Sequence, residues 1–182
     1  MRVEATALPG VLLIQPRVFA DSRGYFLESW QRERYQAAGL PDSFVQDNES
    51  GSVRHTLRGL HYQLASPQGK LVRVIEGEVL DVAVDIRRSS THFGRWVGVT
   101  LSGTSRGQLW IPPGFAHGFL VLSAFAVVAY KCTTPYAPAD ERTILWNDPE
   151  LAVDWLLPAG ASPLVSPRDA QGALFRAAEL FP

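Results

Sequence analysis

The side chains best able to do chemistry concentrate between Gln46 and Gln63, QDNESGSVRHTLRGLHYQ. Gln46, Asp47, Asn48, Arg54, His55, Arg58, His61 and Gln63 stand there among few apolar residues, and Leu57, Leu60 and Tyr62 alternate loosely with Arg58 and His61. A strand with this pattern turns polar groups toward a face that a β-sandwich normally fills with aliphatics. Buried polar groups are costly unless paired or wetted, so a ligand cavity at the mouth of a barrel accounts for them more readily. An imidazole in such a cavity suits proton transfer, because it titrates close to neutrality. A satisfied core histidine is the competing reading of His61, weakened by the company of Arg58 and Gln63. A second segment, GQLWIPPGFAHGF from Gly107 to Phe119, reads as a strand, a Pro-Pro-Gly turn and a histidine, His117, opening the next strand. That is a common place for a site residue, though a turn histidine bonded to backbone fits the same pattern.

Two further segments carry weaker signals. In Phe19–Glu28, FADSRGYFLE, Arg23-Gly24 between aromatic residues reads as a loop or bulge, and composition alone puts Phe19, Tyr25 and Phe26 in the core. Tyr130 closes an apolar strand pattern, where its ring serves equally well as plain core with a hydrogen-bonded hydroxyl. Lys70 is one of only two lysines, with Lys131, against fifteen arginines. It heads an apolar strand, and its plain reading is a strand-edge charge.

Metal chemistry can be weighed from spacing. Gly107, Pro112, Gly114 and His117 resemble the second motif of the cupins, in which that histidine is a metal ligand. The first cupin motif needs a His-x-His pair and a later Glu, but here the pair position reads His61-Tyr62-Gln63. Two histidines far apart in sequence do not complete a zinc or iron set. The expectation is a cupin barrel without metal that uses its histidines as acid and base. Cys132 is the only cysteine, so no intrachain disulfide framework or cysteine zinc site is expected.

Strands must position these groups. In Val79–Ile86 (VLDVAVDI), Leu80, Val82, Val84 and Ile86 share one face, and Val79, Asp81, Ala83 and Asp85 share a partly polar second face. Lys70–Ile75 (KLVRVI) is a second run, separated from the first by a turn at Glu76-Gly77-Glu78. Trp96–Leu101 places Val97, Val99 and Leu101 on one face, and Ser123-Ala124 forms a turn between Phe119–Leu122 and Phe125–Lys131. Strands recurring at about ten-residue intervals between Gly and Pro turns predict an antiparallel sandwich or barrel. Helix is minor. Trp30–Ala38 is predicted helical and stopped by Gly39. Ser166-Pro167 reads as N-cap and first residue of a C-terminal helix, with Asp169 in the first turn and Leu174, Ala177 and Ala178 as its buried stripe. The rest of the last quarter is irregular, with Trp146, Trp155, Pro149, Pro158 and Pro163, and is expected to wrap the barrel or a neighbouring subunit.

The 182 residues, 46% apolar and 19% charged, fit a single globular domain over 1–182. Lys plus Arg is 17 and Asp plus Glu is 18, a net charge of −1 that argues against a nucleic-acid backbone reader but not against a small anionic ligand. No apolar run reaches the ~18 residues of a membrane span. The N-terminal MRVEATALPG lacks the apolar stretch of a signal peptide, so a cytoplasmic location is expected.

Several motifs then converge. Phe19-x-Asp21-x-Arg23-Gly24-x-Phe26-x-Glu28, Gln46-Asp47-Asn48, Leu57–Gln63 (LRGLHYQ), Val82-x-Val84-Asp85-x-Arg87, Pro112-x-Gly114-Phe115-x-His117-Gly118-Phe119 and Tyr130-Lys131 resemble the dTDP-4-dehydrorhamnose 3,5-epimerase family, in order from about Val3 to the C-terminal helix. The resemblance implies an all-β, double-stranded β-helix (a cupin-like jelly roll) with short N- and C-terminal helices. It also implies a homodimer, a dTDP-linked 4-keto-6-deoxyhexose substrate and no cofactor. By residue, it implies His61 as the base, Asp169 as the carboxylate orienting it, Tyr130 as the acid on the other face and Lys70 as the cation near a developing enolate oxygen. Arg23, Glu28, Gln46, Asn48, Arg58, His117 and Glu141 match substrate-contacting positions, and Phe19, Phe26 and Tyr136 are candidates to stack on thymine. Arg168 stands where the family commonly has lysine; the charge is kept but the geometry differs.

Three other readings compete. A relative can epimerise only one carbon or move the keto group of a related dTDP-sugar. A cupin can bind a sugar nucleotide without catalysis. A metal-dependent cupin oxygenase or isomerase is the third. Retention of both His61 and Tyr130 favours the double epimerase.

Overall fold

The computed structural model describes residues 1–182. Its strands are β1 (Arg2–Ala5), β2 (Leu12–Gln15), β3 (Val18–Asp21), β4 (Gly24–Leu27), β5 (Gln46–Val53), β6 (Leu57–Gln63), β7 (Lys70–Glu76), β8 (Glu78–Asp85), β9 (Trp96–Ser102), β10 (Gln108–Ile111), β11 (Phe115–Val121), β12 (Phe125–Cys132) and β13 (Glu141–Thr143). The helices are α1 (Arg32–Ala37) and α2 (Pro167–Ala170), with one 3₁₀ turn at Phe175–Ala177. A six-stranded sheet runs β1-β2-β10-β7-β12-β5, a five-stranded sheet runs β13-β6-β11-β8-β9, and β3-β4 forms a separate hairpin. All strand pairs within them are antiparallel. This is the expected all-β jelly roll. No helix is long and apolar enough to cross a membrane.

Period-2 alternation sets the layers. Val72 and Val74 of β7, Leu109 and Ile111 of β10 and Val128 of β12 meet Val79 and Ala83 of β8, Leu101 of β9 and Phe119 of β11 between the sheets. The opposite face of the smaller sheet, with Leu80, Val82, Val84 and Leu120, is covered by the irregular chain after β13, through Ile144, Leu151, Trp155 and Phe175. The outer face of the larger sheet buries Ile14, Leu71 and Trp110 beneath Tyr35 of α1 and Leu40. β8 is therefore covered on both faces. Its partly polar face turns inward, and Asp81 and Asp85 are buried, Asp85 against Arg87 and Ser90.

Three expectations need correction. α1 is shorter than Trp30–Ala38, because the Gln31 side chain caps it by accepting from the Arg34 N–H. The C-terminal helix ends at Ala170, and Leu174, Ala177 and Ala178 are not its stripe. Beyond it the chain bonds to the Thr143–Leu145 backbone (Ala173 N to Thr143 O 2.9 Å, Leu145 N to Ala173 O 2.8 Å). Phe175 and Ala178 are buried there, while Ala177 is exposed. Phe19, Tyr25 and Phe26 are not core. The β3-β4 hairpin that carries them pairs with neither sheet, leaving them 50%, 53% and 69% exposed.

Asp148 fastens the C-terminal wrap. Its buried carboxylate accepts from the backbone N–H groups of Glu150, Leu151 and Phe175 at 2.8–3.0 Å. Asp148→Ala leaves three donors unpaired under the wrap, and should destabilise the fold by about 2–4 kcal/mol. A lower urea midpoint with an unchanged slope is the expected result.

Candidate active site

The register between β6 and β11 holds the irregularity that builds the site. His61 lies opposite His117 and Arg58 opposite Phe119, so three steps along β6 match two along β11. The extra residue makes a β-bulge around Gly59, whose φ is +121°. A Cβ on Gly59 would stand 2.6 Å from Gly118 Cα, and one on Gly118 would stand 2.7 Å from the Arg58 carbonyl oxygen. Only glycine at both positions lets the two backbones close together. In a regular strand Arg58 and His61 would point to opposite faces. The bulge brings both to one cavity.

That cavity, of about 620 Å³, opens between the sheets. Gln46, Asn48 and Ser50 line it from β5, Arg58 and His61 from β6, Lys70 from β7, His117 and Phe119 from β11, and Tyr130 from β12. Tyr136, Glu141 of β13 and Arg168 and Asp169 of α2 also line it.

Two histidines stand side by side, each with its own carboxylate. His61 Nε2 lies 2.5 Å from Asp169 Oδ1, while its Nδ1 is 3.9 Å from Glu141 Oε1, beyond hydrogen-bond reach. Asp169 is held in the first turn of α2, where its N–H donates to the Ser166 hydroxyl at 3.1 Å. Burial works to raise the Asp169 pKa, but hydrogen bonds from His61, Ser166 and the Gly59 backbone together hold it below the usual carboxylate range. His117 Nε2 lies 3.0 Å from both oxygens of Asp81. Burial pushes the His117 pKa down against the pull of Asp81, and Lys70 and His61 lower it further, so its imidazole is neutral at neutral pH.

Lys70 and Tyr130 face these rings from the larger sheet, with Lys70 Nζ 6.0 Å from the centroid of the Tyr130 ring. Burial pushes the Lys70 pKa down, opposed by Cys132, Glu141 and Asp81. Burial pushes the Tyr130 phenol up, so it stays protonated. Arg58 donates from Nε and Nη2 to the Ser52 hydroxyl at 3.2 and 3.1 Å. At the mouth Gln46 donates to Asn48 at 2.9 Å, Tyr136 donates its hydroxyl to Glu141 Oε2 at 2.7 Å, and Arg168 pairs with the same oxygen. No three His, Cys, Asp or Glu side chains converge as a metal-binding group.

Four expected site residues stand elsewhere in this chain. Phe19, Arg23 and Phe26 lie on the exposed hairpin and Glu28 just beyond it, where Arg23 pairs with Asp21 at 2.6 Å and Glu28 with Arg34 at 2.8 Å. Conversely, Ser50, Ser52 and Asp81 escaped the sequence reading. The two serines continue the inward alternation Gln46, Asn48, Ser50, Ser52, which was a readable signal. Asp81 was visible only as a charge inside an apolar strand.

Comparison with known proteins settles the family. The family model described as dTDP-4-dehydrorhamnose 3,5-epimerase matches residues 5–177. The chain belongs to the dTDP-4-dehydrorhamnose 3,5-epimerase family. It is 55% identical to the dTDP-4-dehydrorhamnose 3,5-epimerase of Pseudomonas aeruginosa over 100% of both chains. The crystal structure of a 3,5-epimerase from Legionella pneumophila in complex with dTDP-4-keto-L-rhamnose superposes with a TM-score of 0.94, at 51% identity over 98% of this chain and 94% of that one. A 3′-monoepimerase from Streptomyces bikiniensis in complex with dTDP-quinovose superposes with a TM-score of 0.86, at 32% identity over 94% and 86% of the two chains. The expected family and jelly-roll fold are thus borne out, and the protein is an isomerase of this epimerase family.

The lowered pKa of Asp169 has a signed consequence for this family member. Its folded value lies below its unfolded one, so the His61 pairing stabilises the fold fully above the usual carboxylate range. That stability is lost as pH falls through the lowered value. Asp85, held low by Arg87 and Ser90 against burial, acts in the same direction. The urea midpoint should therefore drop between roughly pH 5 and pH 2. Asp169→Asn should flatten that dependence.

Proposed function

We propose that the protein inverts carbons 3 and 5 of dTDP-4-dehydro-6-deoxy-D-glucose to give dTDP-4-dehydro-L-rhamnose, the epimerisation step of dTDP-L-rhamnose biosynthesis. The observation that carries this reading is the opposition of His61 and Tyr130 across one cavity, from the two different sheets, with the Lys70 ammonium beside them. Hydrogens on carbons 3 and 5 are both alpha to the carbonyl at carbon 4. With Asp169 accepting the Nε2–H of His61, the Nδ1 lone pair is free to act as base. It takes the proton, the C–H electron pair moves into the ring, and the carbonyl oxygen becomes an enolate oxygen that Lys70 stabilises. Tyr130 then delivers its hydroxyl proton to the opposite face of the same carbon. Exchange with water restores both groups, and the sequence repeats at the second carbon. Arg58 suits the diphosphate because its planar guanidinium can make paired charge-assisted hydrogen bonds, and Tyr136 at the mouth suits the base.

A single epimerase remains the rival, given the monoepimerase of the same fold, but the relative of higher identity and full coverage bears the 3,5-epimerase name. Proton NMR of the dTDP-4-keto sugar in deuterated water separates them, since each inversion replaces a carbon-bound hydrogen by deuterium. Exchange at both carbons is expected, and exchange at one would reassign the protein. His61→Ala should lower exchange at both carbons by about 10²–10⁴-fold with nucleotide binding retained. Tyr130→Phe should slow reprotonation at carbon 5 more than proton loss. A wild-type product profile in that variant removes Tyr130 from the acid role.

The same proposal includes a homodimer whose hairpins complete each other's cavities. Its support is that Phe19, Arg23 and Phe26 are exposed on a hairpin paired to neither sheet, outside the cavity of their own chain. Mixing His61→Ala with Arg23→Ala subunits after mild dissociation should then recover activity that neither variant shows alone. Failure to recover it, in mixed dimers verified by mass, assigns Arg23 no role in trans.

A further inference from the structure

The proposed mechanism gives no task to a buried carboxylate that stands behind the cavity wall, bonded to the lining residue His117. Asp81 sits in mid-β8 with no exposed surface, facing a site histidine with both carboxylate oxygens. A carboxylate that deep is costly unless its hydrogen bonds are filled, and it takes the place of one more aliphatic residue between Leu80 and Val82. Its partner His117 lies opposite Ala83 of β8 and opposite His61 of β6, with its ring at the cavity wall. The Nδ1 of His117 makes no hydrogen bond to the protein, whereas Nε2 is taken by Asp81. We propose that Asp81 is a positioning residue of this site: by accepting the Nε2–H of His117 it turns the Nδ1 lone pair toward the sugar, making His117 the acceptor for a sugar hydroxyl, and it supplies a buried anion to the Lys70 ammonium.

This inference rests on the reading of the cavity as the sugar site. It divides the polar contacts by sign: Lys70 donates to the oxygen that becomes negative, and His117 accepts from a hydroxyl that stays neutral. The groups facing Lys70 support the second half. They are His61 on β6, Asp81 on β8, His117 on β11, Tyr130 and Cys132 on β12 and Glu141 on β13. Burial raises the pKa of the Cys132 thiol and of the Tyr130 phenol, so both are neutral near pH 7. Of the carboxylates acting on Lys70, Glu141 is already engaged by Arg168 and Tyr136. Asp81, whose one hydrogen-bond partner is a neutral imidazole, is the anion left to balance Lys70.

Two measurements test it. In the wild-type protein, long-range ¹H–¹⁵N spectra of the four imidazoles should show His117 protonated at Nε2 and bare at Nδ1. The opposite tautomer overturns the proposal, whatever any variant does. Asp81→Asn keeps the shape and removes the charge. With the 4-keto sugar nucleotide as probe it should lose about 10–100-fold in kcat/KM. The alkaline limb of its pH profile should also move to lower pH, because Lys70 loses a stabilising anion and gives up its proton sooner. A folded Asp81→Asn with near wild-type kcat/KM overturns the proposal. So does a loss of activity with an unmoved alkaline limb, which would make Asp81 a structural residue only. If the variant does not fold, the wild-type tautomer decides. A wild-type protein that exchanges no sugar hydrogens would instead defeat the underlying reading, and the tautomer result would stand independently of that.

Discussion

Two backbones meet in the smaller sheet with no room for a side chain between them, and the site depends on that contact. Gly59 of β6 and Gly118 of β11 approach so closely that a methyl group on either would collide with the other strand. The bulge that accompanies the contact offsets β6 by one residue relative to β11. A one-residue offset exchanges the faces of every side chain beyond it. Here that exchange brings His61 to the cavity beside His117, while Leu60 and Tyr62 join the apolar layer behind the sheet. Without it, either Arg58 or His61 would be driven into hydrocarbon.

The same inter-sheet space is divided between dry core and polar cavity. Toward one end it is filled by Val, Leu, Ile and Phe side chains. Toward the other, charges accumulate that only mutual pairing makes tolerable. Asp169 is met by His61, Asp81 by His117, Glu141 by Arg168, and Arg58 by Ser52. Lys70 has no hydrogen-bonded carboxylate and relies on longer-range anions. That arrangement suits the enolate of the proposed mechanism. A cation already locked in an ion pair would have to break it before stabilising a new negative oxygen, whereas an unpaired one is preorganised for it.

How much of this was legible follows from which interactions are local. The strands of the middle of the chain could be read because period-2 alternation is a property of neighbours in sequence. The Ser166 cap before Asp169 could be read for the same reason. The sharing of a face by Arg58 and His61 could not, since it comes from a contact between Gly59 and a glycine on another strand; the loose alternation of Leu57–Tyr62 was its only trace. Asp81 is legible in the sequence only as part of a partly polar face, because its burial depends on the second sheet. The hairpin aromatics failed in the opposite direction. Phe19, Tyr25 and Phe26 have core composition but no facing layer within the chain. The C-terminal stripe was misplaced because Asp148, far from α2 in sequence, and pairing to the Thr143–Leu145 backbone redirect the chain after Ala170. The functional roles themselves entered through resemblance, and the structure adds the spatial relations among their bearers.

Why a jelly roll suits this chemistry follows from those relations. Inverting a carbon needs a base and an acid on opposite faces of one ring, and a single sheet offers side chains on one side of the substrate only. Two sheets around a cavity supply both. The smaller sheet contributes the His61 imidazole, met by Asp169 of α2, and the larger sheet contributes the phenol and the ammonium. Because the sheets are joined by a continuous apolar core, the distance between His61 and Tyr130 is set by packing rather than by flexible loops. A sugar ring held at its diphosphate and base can then turn either of two carbons, both alpha to one carbonyl, toward the same pair of groups. In the proposed mechanism one pair of groups therefore suffices for two inversions, and the discrimination between single and double epimerisation falls to the groups that orient the ring.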